Sequence, residues 1–548
     1  MFKRIGKYIV LSVLVVFTIC ICALFGLYFS ADMKEPNHFF NQTENTFFTD
    51  SLRVYKNSWL RLNSKGLWEM KVVGSDFDRG EAMGKLAEDL LYYQESVFIN
   101  QIKTMIPSDS YLKFLRFFIV LFNRNLGENI SEEYRNEIYG ISQSCTHEYD
   151  AIGNPYERQL NYHAAHDLGH ALQDYMMVGC TSFATWGKHS TDEKLTLGRN
   201  FDFYMGDDFA RNRVVTFCSP DKGYKFVSIG WAGMIGVLSG MNTEGLTVTI
   251  NAATSDVPTG SATPISILVR EILQYASTID EAFAIAKKRQ TFVSEAILIG
   301  SKKDGKAAII EKSPEKIDVF YSKDTQLICT NHFQSETFKT DERNIENIKH
   351  SDSGYRFNRM EELLNENQPI DPKNAANILR NQKGLNHVEL GMTNEMAINQ
   401  LLAHHSVIMQ PEDLKIWVST SPWQCGEYIQ YDLNAIFNDS VDYKKDIHVI
   451  SETIAADDFL ESDEYKQLQV YKSVLSKLKD KIKTKEKMSI DSIELFIESN
   501  PNYYYVYKVV GDYYQNKDKE IAQKYWKKAL TYPIPNSYER KSIENNLK

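Results

Sequence analysis

The chain has 548 residues, of which 43% are hydrophobic and 12% aromatic, enough for a sizeable core and for two or three domains. Its formal net charge is −10, which argues against a nucleic-acid partner because phosphate binding requires a cationic surface. The seven cysteines are too few and too scattered for a disulfide scaffold.

Residues 1–31 have the features of a membrane anchor. Three basic residues precede an uncharged stretch from Tyr8 to Ala31, whose apolar part matches the ~20 residues that span a bilayer core. The basic residues place the N-terminus in the cytoplasm and the body of the protein outside it. A signal peptide has a shorter apolar run of ~7–15 residues, so an uncleaved anchor is favoured. If the segment is cleaved instead, the body is expected to be secreted or periplasmic.

The segment 32–179 is predicted to be mostly helical from about residue 66 onward. Residues 32–65 are polar and are expected to form loops, and WEMKVVGS is a candidate strand. Helical spacing of apolar residues then begins in DFDRGEAMGKLAEDLL. Further helices are predicted at SYLKFLRFFIVLFNRNL, at SEEYRNEIYGISQSC and at about residues 158–176.

From Gly179 the sequence changes to short runs rich in β-branched and aromatic residues, which predict strands. These runs are CTSFATWG, KLTLGRNFDF, RVVTFCS, KFVSIGW, LTVTINAA, EAILIGS, KAAIIEK, KIDVFYS and TQLICTN, with HSVIMQ and LKIWVST as a final hairpin. Helices are predicted at about 263–276 and 279–289, and again in DSGYRFNRMEELL and DPKNAANILRNQ. This order indicates two sheets covered by helices, an α+β layered fold, in a catalytic domain of residues 180–450.

Residues 455–548 are predicted to form a helical tail. Within it, YKVVGDYYQNKDKEIAQKYWKKALTYP resembles a tetratricopeptide repeat, in which a small residue such as Gly511 lets two helices approach and aromatic side chains fill the gap. Stable arrays need about three repeats, and one good copy is present. The tail is therefore expected to dock on the main domain or on a protein partner.

Cys180 is the candidate nucleophile. A thiol with a pKa of about 8.5 is mostly protonated at neutral pH and needs a base or a cation to activate it. Cleavage between Gly179 and Cys180 would supply a base, because the freed α-amino group has an unperturbed pKa of ~7.7–8.0. A glycine before the cleaved bond tolerates the distorted backbone that an N-to-S acyl shift requires. The alternative for a Gly–Cys pair is a buried structural cysteine.

Arg199 and Asp202 lie in GRNFDF, a strand predicted to pair with the strand that follows Cys180. Asp202 is expected to hold the α-ammonium group, and Arg199 to favour the thiolate and orient a carbonyl. Residues three apart lie on opposite faces of a regular strand, so a bulge or a strand end is needed to bring both to the site. The alternative is a salt bridge between neighbours.

Two asparagines, Asn251 and Asn331, end predicted strands, where a side-chain NH2 group can be aimed at a developing oxyanion. The alternative for each is an ordinary turn residue. Arg356 in DSGYRFNRM lies on a predicted helix, for which a solvated face is the default expectation.

The motifs GCTS, GRNFDF, GMNTEGLTVTIN, CTNHF and SGYRFNRM, in this order, resemble the penicillin acyltransferase-like cysteine family of N-terminal-nucleophile hydrolases and, more distantly, the choloylglycine hydrolases. The resemblance covers about residues 70–435 and implies a four-layer αββα sandwich with autocatalytic cleavage between Gly179 and Cys180. It also implies a set of roles: Cys180 as nucleophile, Arg199 and Asp202 as its electrostatic partners, Asn251 and Asn331 as oxyanion groups, and Arg356 as a further site arginine.

The resemblance implies a hydrolase or acyltransferase that acts on a small acyl-amide substrate through a thioester, with neither a metal nor an organic cofactor. Two other interpretations stay open. One is an inactive scaffold that binds a partner through the tail, and the other is a lipid-ester hydrolase of the phospholipase B-like type.

A zinc-dependent hydrolase is the remaining alternative. His163, His166 and His170 share one face of a predicted helix, and such a cluster is a potential metal site. The HExxH motif is absent, so the favoured interpretation is that these histidines pack or hydrogen-bond beside the cleavage junction.

Overall fold

The structure is a computed structural model that describes residues 33–36, 46–105, 119–171, 179–203, 205–254, 262–438 and 441–548, with single positions between them and without the side chains of 165–171. The predicted anchor, residues 1–31, lies almost entirely outside the described residues. Within the part of the chain that is described, no helix is both long enough and apolar enough to cross a membrane.

The strands are β1 Thr46–Phe48, β2 Leu52–Tyr55, β3 Ser58–Leu62, β4 Trp68–Gly74, β5 Thr181–Thr185, β6 Thr196–Asp202, β7 Val214–Pro220, β8 Phe226–Gly230, β9 Ser239–Asn242, β10 Leu246–Ala252, β11 Glu295–Ser301, β12 Lys306–Lys312, β13 Ile317–Phe320, β14 Gln326–Cys329, β15 Ala403–Gln410, β16 Lys415–Ser419, β17 Tyr428–Asp432 and β18 Val449–Ile454. The helices are Asp76–Leu86, Glu88–Met105, Leu126–Asn129, Glu132–Ser142, Pro155–Ala171, Ile265–Tyr275, Ile279–Lys288, Glu342–His350, Ser353–Glu366, Pro372–Leu379, Leu433–Ile436, Asp463–Thr484, Ile490–Ser499, Tyr504–Tyr514, Lys519–Ala529 and Ser537–Asn546.

The larger sheet has the strand order β1-β2-β3-β4-β7-β8-β9-β10-β11-β12-β13. Its strands are antiparallel except for β4 and β7, which run parallel with Trp68 opposite Val214. The prediction that residues 32–65 form loops is therefore corrected, because β1–β3 lie within residues 46–62. The candidate strand WEMKVVGS is confirmed as β4, and the described residues after it are mostly helical up to Ala171. Charged side chains conceal these strands in the sequence. Arg61 of β3 is buried because it pairs with Glu69 and Asp446.

The smaller sheet has the order β14-β5-β6-β15-β16-β17-β18 and is antiparallel. The predicted pairing of the strand after Cys180 with GRNFDF is confirmed, since Thr181 lies opposite Asn200 and Ser182 opposite Arg199. The ladder between β6 and β15 shifts its register between Ala403 and His405. This irregularity lies beside the end of β6, where a bulge or a strand end is needed to bring both Arg199 and Asp202 to the site.

Both sheets contribute to a shared hydrophobic cluster, which includes Leu197 and Val407 of the smaller sheet and Phe217 and Leu298 of the larger sheet. A second cluster joins the larger sheet to helices that include Ile265–Tyr275 and Ile279–Lys288. A third joins the smaller sheet to the helices Ser353–Glu366 and Pro372–Leu379. Burial of these apolar faces is the main force that holds helices on sheets. The predicted mixed α+β architecture is thus confirmed.

The tail packs on the body of the protein. Asn500 hydrogen-bonds both the backbone N–H and the carbonyl of Met392, at 3.0 and 2.9 Å. The hydroxyl of Tyr503 donates to Glu395 at 3.2 Å. Trp423 and Cys425 of the body belong to the same hydrophobic cluster as the tail helices. The sequence predicts that the tail docks either on the main domain or on a protein partner, and the structure shows it docked on the main domain.

Candidate active site

Cys180 lies directly before β5 and is completely buried, with 0% of its surface exposed. The Nη2 group of Arg199 donates a hydrogen bond to its Sγ at 3.4 Å. Burial raises the pKa of the Cys180 thiol to about 11, because the positive charge of Arg199 only partly offsets the loss of hydration. In the continuous chain the thiol is therefore protonated at neutral pH and needs a base to become a nucleophile.

Arg199 is held rigidly behind the thiol. Its guanidinium donates to the carbonyls of Leu238 and Ile250, at 3.2 and 2.8 Å, and to Ser239 Oγ. It also lies 4.5 Å above the ring centre of Phe201. Because these partners are neutral, the guanidinium keeps its full positive charge, which favours a thiolate at Cys180.

Asp202 is buried at the end of β6, and neither of its carboxylate oxygens has a hydrogen-bond partner in the described part of the chain. Burial raises the pKa of this carboxyl to about 8, against the opposing charges of Arg356 and Arg199. The backbone N–H of Gly179 donates to the Asp202 carbonyl oxygen at 3.0 Å. This bond holds the Gly179–Cys180 junction beside the end of the strand that carries the carboxylate.

Arg356 contacts Cys180 at its backbone carbonyl, on the side away from the thiol. Its Nη1 donates to the Cys180 carbonyl oxygen at 2.8 Å and to Thr181 Oγ1 at 2.7 Å. Its Nη2 donates to Asn331 Oδ1 at 2.7 Å, and its Nε pairs with Asp352 at 2.7 Å. The default expectation of a solvated face is wrong here, since Arg356 is only 1% exposed. Asp352, one helical turn earlier, supplies the charge that lets it be buried.

The two asparagines are buried near these groups. Asn251 accepts from Ser182 Oγ at 2.8 Å and donates to the Cys329 carbonyl at 2.9 Å. Asn331 donates from Nδ2 to the Ala252 carbonyl at 2.9 Å. One amide hydrogen of each side chain is thus bound to the backbone, and each NH2 group has a second hydrogen. The six predicted site residues therefore come together at one end of the two sheets.

The sequence analysis missed a buried histidine pair in β15. His405 Nε2 lies 3.2 Å from Arg199 Nη1 and 2.8 Å from Ser239 Oγ, and its Nδ1 lies 3.0 Å from His404 Nδ1. Burial and the nearby arginines lower the pKa of both rings well below 6.5, so both are neutral. Arg199 is always a donor, so His405 Nε2 accepts and its Nδ1 carries the proton. The adjacent histidines in LLAHHSVIMQ are the only sequence signal for this pair.

An apolar pocket of about 60 Å³ adjoins the site. It is lined by Leu91, Gln94, Glu95, Phe98, Gln159, Tyr162 and His163 from the segment before Gly179, and by Phe201, Phe203, Phe209, Trp231, Ala232, Gly233, Met234 and Leu238 from the segment after it. Phe201 and Leu238 also contact Arg199, so the pocket opens next to the nucleophile.

His163 has a structural role. Its Nδ1 bonds to the Gln159 carbonyl at 2.7 Å, and its Nε2 accepts from the Ile235 backbone N–H at 3.1 Å. Both ring nitrogens are occupied, so His163 is not free to bind a metal ion. The side chains of His166 and His170 lie outside the described residues. The geometry therefore gives no support to the zinc interpretation.

Two curated proteins are similar to parts of this chain. An uncharacterized protein of Archaeoglobus fulgidus is 27% identical over 158 residues, which are 28% of this chain and 26% of that protein. Protein dcd1B of Dictyostelium discoideum is 22% identical over 192 residues, 34% of this chain and 36% of that protein. The chain thus spans about a quarter to a third of the length of these curated relatives.

Two solved structures also match. The Caenorhabditis elegans ortholog of N-acylethanolamine-hydrolyzing acid amidase is 18% identical, with a TM-score of 0.30 over 42% of this chain and 93% of that one. The conjugated bile acid hydrolase from Clostridium perfringens is 14% identical, with a TM-score of 0.31 over 46% of this chain and 92% of that one.

The family model described as acyl-coenzyme A:6-aminopenicillanic acid acyl-transferase matches residues 189–420. These residues include β6, the histidine pair and the helix that carries Arg356. The resemblance to the penicillin acyltransferase-like family that the ordered motifs predict is confirmed for this central part of the chain.

Proposed function

We propose that the protein is a self-processing cysteine amidase or acyltransferase that acts on the C–N bond of a small acyl-amide substrate through a thioester. One observation carries the proposal: Cys180 is held at both ends by buried arginines, with Arg199 at its Sγ and Arg356 at its carbonyl oxygen. The family match begins after Cys180, so the assignment of the nucleophile depends on this geometry.

Maturation begins with the Gly179–Cys180 bond. Cys180 Sγ attacks the Gly179 carbonyl carbon, the C–N bond breaks, and the thiol proton passes to the departing nitrogen. The product is a thioester with a free α-amine. Water then hydrolyses the thioester and yields a carboxylate at Gly179 and a free thiol at Cys180. Arg356 keeps its hydrogen bond to the Cys180 carbonyl, so the new terminal residue stays in place.

Asp202 is the group that receives the new α-ammonium. Its carboxylate is buried, has no partner among the described residues and lies at the strand end to which Gly179 is bonded. An opposite charge next to a buried carboxylate lowers its pKa and stabilises both ions. Cleavage thus supplies the counter-ion that this carboxylate lacks in the continuous chain.

In the reaction itself, the α-amine of Cys180 takes the proton from Sγ, and Arg199 stabilises the thiolate. The thiolate attacks the acyl carbon, and the second amide hydrogens of Asn251 and Asn331 stabilise the oxyanion. Collapse expels the amine and leaves a thioester on Cys180. Water or a second amine then resolves the thioester, which gives hydrolysis or acyl transfer respectively.

The same proposal includes the finer architecture. The two sheets sharing one cluster, each with helices packed against it, support a four-layer αββα sandwich. Residues 32–179 are the pro-segment, 180–450 the catalytic domain and 455–548 a tetratricopeptide-like tail. Residues 1–31 anchor the body outside the cytoplasm, and this localisation depends on the sequence alone.

Mass spectrometry of the purified protein tests the nucleophile. The wild type is expected to give two fragments that meet at 179/180, whereas Cys180→Ala is expected to stay in one piece. Cys218→Ala is the matched control, since Cys218 is also a buried thiol next to an arginine but lies away from the junction. An uncut Cys180→Ala chain that still hydrolyses acyl amides would overturn the proposal.

A further inference from the structure

The apolar pocket beside Cys180 contains one buried polar atom that nothing satisfies. Gln94, on the helix Glu88–Met105, lines the pocket and is only 5% exposed. Its Nε2 donates to the Phe209 carbonyl at 3.3 Å, which fixes the orientation of the amide. Its Oε1 is fully buried and has no hydrogen-bond partner in the described part of the chain. A buried acceptor without a donor is unfavourable, and native structures seldom keep one.

The other ionisable groups on the pocket wall are already paired. Glu95 accepts from Arg158 and from Tyr162, both at 2.7 Å. His163 is neutral, because burial lowers its pKa to about 4, and its ring nitrogens bind the backbone. The pocket therefore offers no unpaired charge that would attract a carboxylate or an ammonium group. What it offers is an aromatic wall and, among the described lining residues, one fully buried acceptor without a hydrogen-bond partner, Gln94 Oε1.

The pocket is close enough to the reacting atoms to hold part of the substrate. Leu238 lines it with its side chain, while its carbonyl oxygen binds Arg199 at 3.2 Å. Phe201 lines it as well and stacks against the same guanidinium. A group joined to a carbonyl at Cys180 can thus enter the pocket by a short route past Arg199.

We propose that this pocket binds an uncharged, mostly apolar acyl group that carries a hydroxyl, and that the hydroxyl donates its hydrogen to Gln94 Oε1. The inference rests on the proposed amidase or acyltransferase function and adds the substrate class to it. A hydroxyl satisfies the acceptor, whereas a purely apolar chain leaves Gln94 Oε1 buried and unpaired. Sites built to hydrogen-bond a substrate hydroxyl discriminate strongly against the analogue that lacks it.

The first experiment compares substrates in the processed protein. The coumarin amides of hexanoic acid and of its 3-hydroxy and 6-hydroxy derivatives are hydrolysed by the wild type, by Gln94→Met and by Gln159→Met. The wild type is expected to prefer one hydroxylated amide by roughly tenfold in kcat/KM. Gln94→Met has a similar volume but no amide acceptor, so the ratio of kcat/KM between the hydroxylated and the plain amide should fall to about one. Gln159→Met, on the same pocket wall, should keep the preference.

The second experiment is independent of turnover. Hexanoic acid and its two hydroxy derivatives are titrated into Cys180→Ala and into Cys180→Ala/Gln94→Met, with binding followed by NMR. Tighter binding of one hydroxy acid, lost in the double variant, supports the proposal even if the protein hydrolyses no amide. Equal binding of all three acids would overturn it. An active enzyme that prefers the plain hexanoyl amide would overturn the hydroxyl assignment and leave the amidase function standing.

Discussion

Lys472 of the tail lies 2.7 Å from Asp207, so the tail is tied to the loop that follows β6. The other carboxylate oxygen of Asp207 accepts from the indole N–H of Trp423 at 2.9 Å. The ammonium group of Lys472 lies 4.2 Å from the centre of the same indole ring. The loop also carries Phe209, which forms part of the wall of the apolar pocket. The tail is therefore joined by this ion pair to the loop that carries part of the wall of the apolar pocket.

We expect Lys472→Met to loosen this loop. Exposed ion pairs contribute only ~0.2–1 kcal/mol, so the protein should stay folded while the loop opens more often. Amide hydrogen exchange of residues 205–213 should become roughly threefold faster. Lys466→Met is the control, because Lys466 pairs with Asp463 of the same helix and does not bind the loop. Equal exchange in all three proteins would show that the tail does not restrain the pocket.

The buried carboxyl of Asp202 predicts a pH dependence of stability in the uncut chain. Burial raises its pKa to about 8, whereas the unfolded chain has a pKa near 3.8. The folded state therefore binds the proton more tightly, and the contribution of Asp202 to the free energy of unfolding is fully present below about pH 4. This contribution is lost progressively as the pH rises towards 8 and the carboxyl ionises without a partner. Thermal unfolding of Cys180→Ala, which stays uncut, measures it.

The control for this prediction is Cys180→Ala/Asp202→Asn. An asparagine does not ionise, so the fall in Tm between pH 5 and pH 8 should be clearly smaller than in Cys180→Ala. Parallel pH profiles for the two proteins would mean that Asp202 keeps an ordinary pKa and that another carboxyl controls stability.

Replacing Arg356 by lysine should slow the cleavage at 179/180. Lysine retains the charge but lacks the planar fork that binds Cys180, Thr181 and Asn331 together. We expect cleavage to be at least about tenfold slower, since several buried hydrogen bonds are lost. Arg359→Lys is the control, because Arg359 is buried in the same helix but binds Glu362 instead. Time courses of fragment formation compare the cleavage rates of Arg356→Lys and Arg359→Lys. Equal rates in the two variants would contradict the role of Arg356.

Gly511 tests the packing of the tail. A methyl group at this position would lie 2.4 Å from the ring of Trp526, so Gly511→Ala should destabilise the tail by ~1–3 kcal/mol. Alanine normally stabilises a helix relative to glycine by about 1 kcal/mol. A decrease in the free energy of unfolding in Gly511→Ala would therefore identify the clash with Trp526. Urea unfolding followed by Trp526 fluorescence measures the effect. Gly230→Ala is the control, because its nearest neighbour would be Met234 at an ordinary 3.6 Å.

Much of the central fold could be predicted from local patterns. Apart from β9, the strands from β5 to β16 are largely β-branched and aromatic runs between turn residues, so their positions and the pairing of β5 with β6 follow from the sequence. The strand β9, with the sequence SGMN, has no such signal. The approach of Arg199 to Cys180 follows from the same pairing, because the two residues lie at the same end of adjacent strands.

What could not be predicted depends on distant partners. Arg61 resembles a loop residue until Glu69 and Asp446 are placed beside it. The contact between His405 and Arg199 needs β15 to lie next to β6 with a shifted register. Arg356 had a usable local signal in Asp352, four residues earlier, but only the fold reveals that the pair points inward.

The parallel pairing of β4 with β7 has a consequence for biosynthesis. While the chain leaves the ribosome, β4 has one edge paired with β3 and the other edge without its neighbour until Val214 has been made. An open strand edge is a template for association with other chains, and vectorial synthesis prolongs its exposure. Nascent chains halted before β7 should therefore aggregate more readily than chains halted after it.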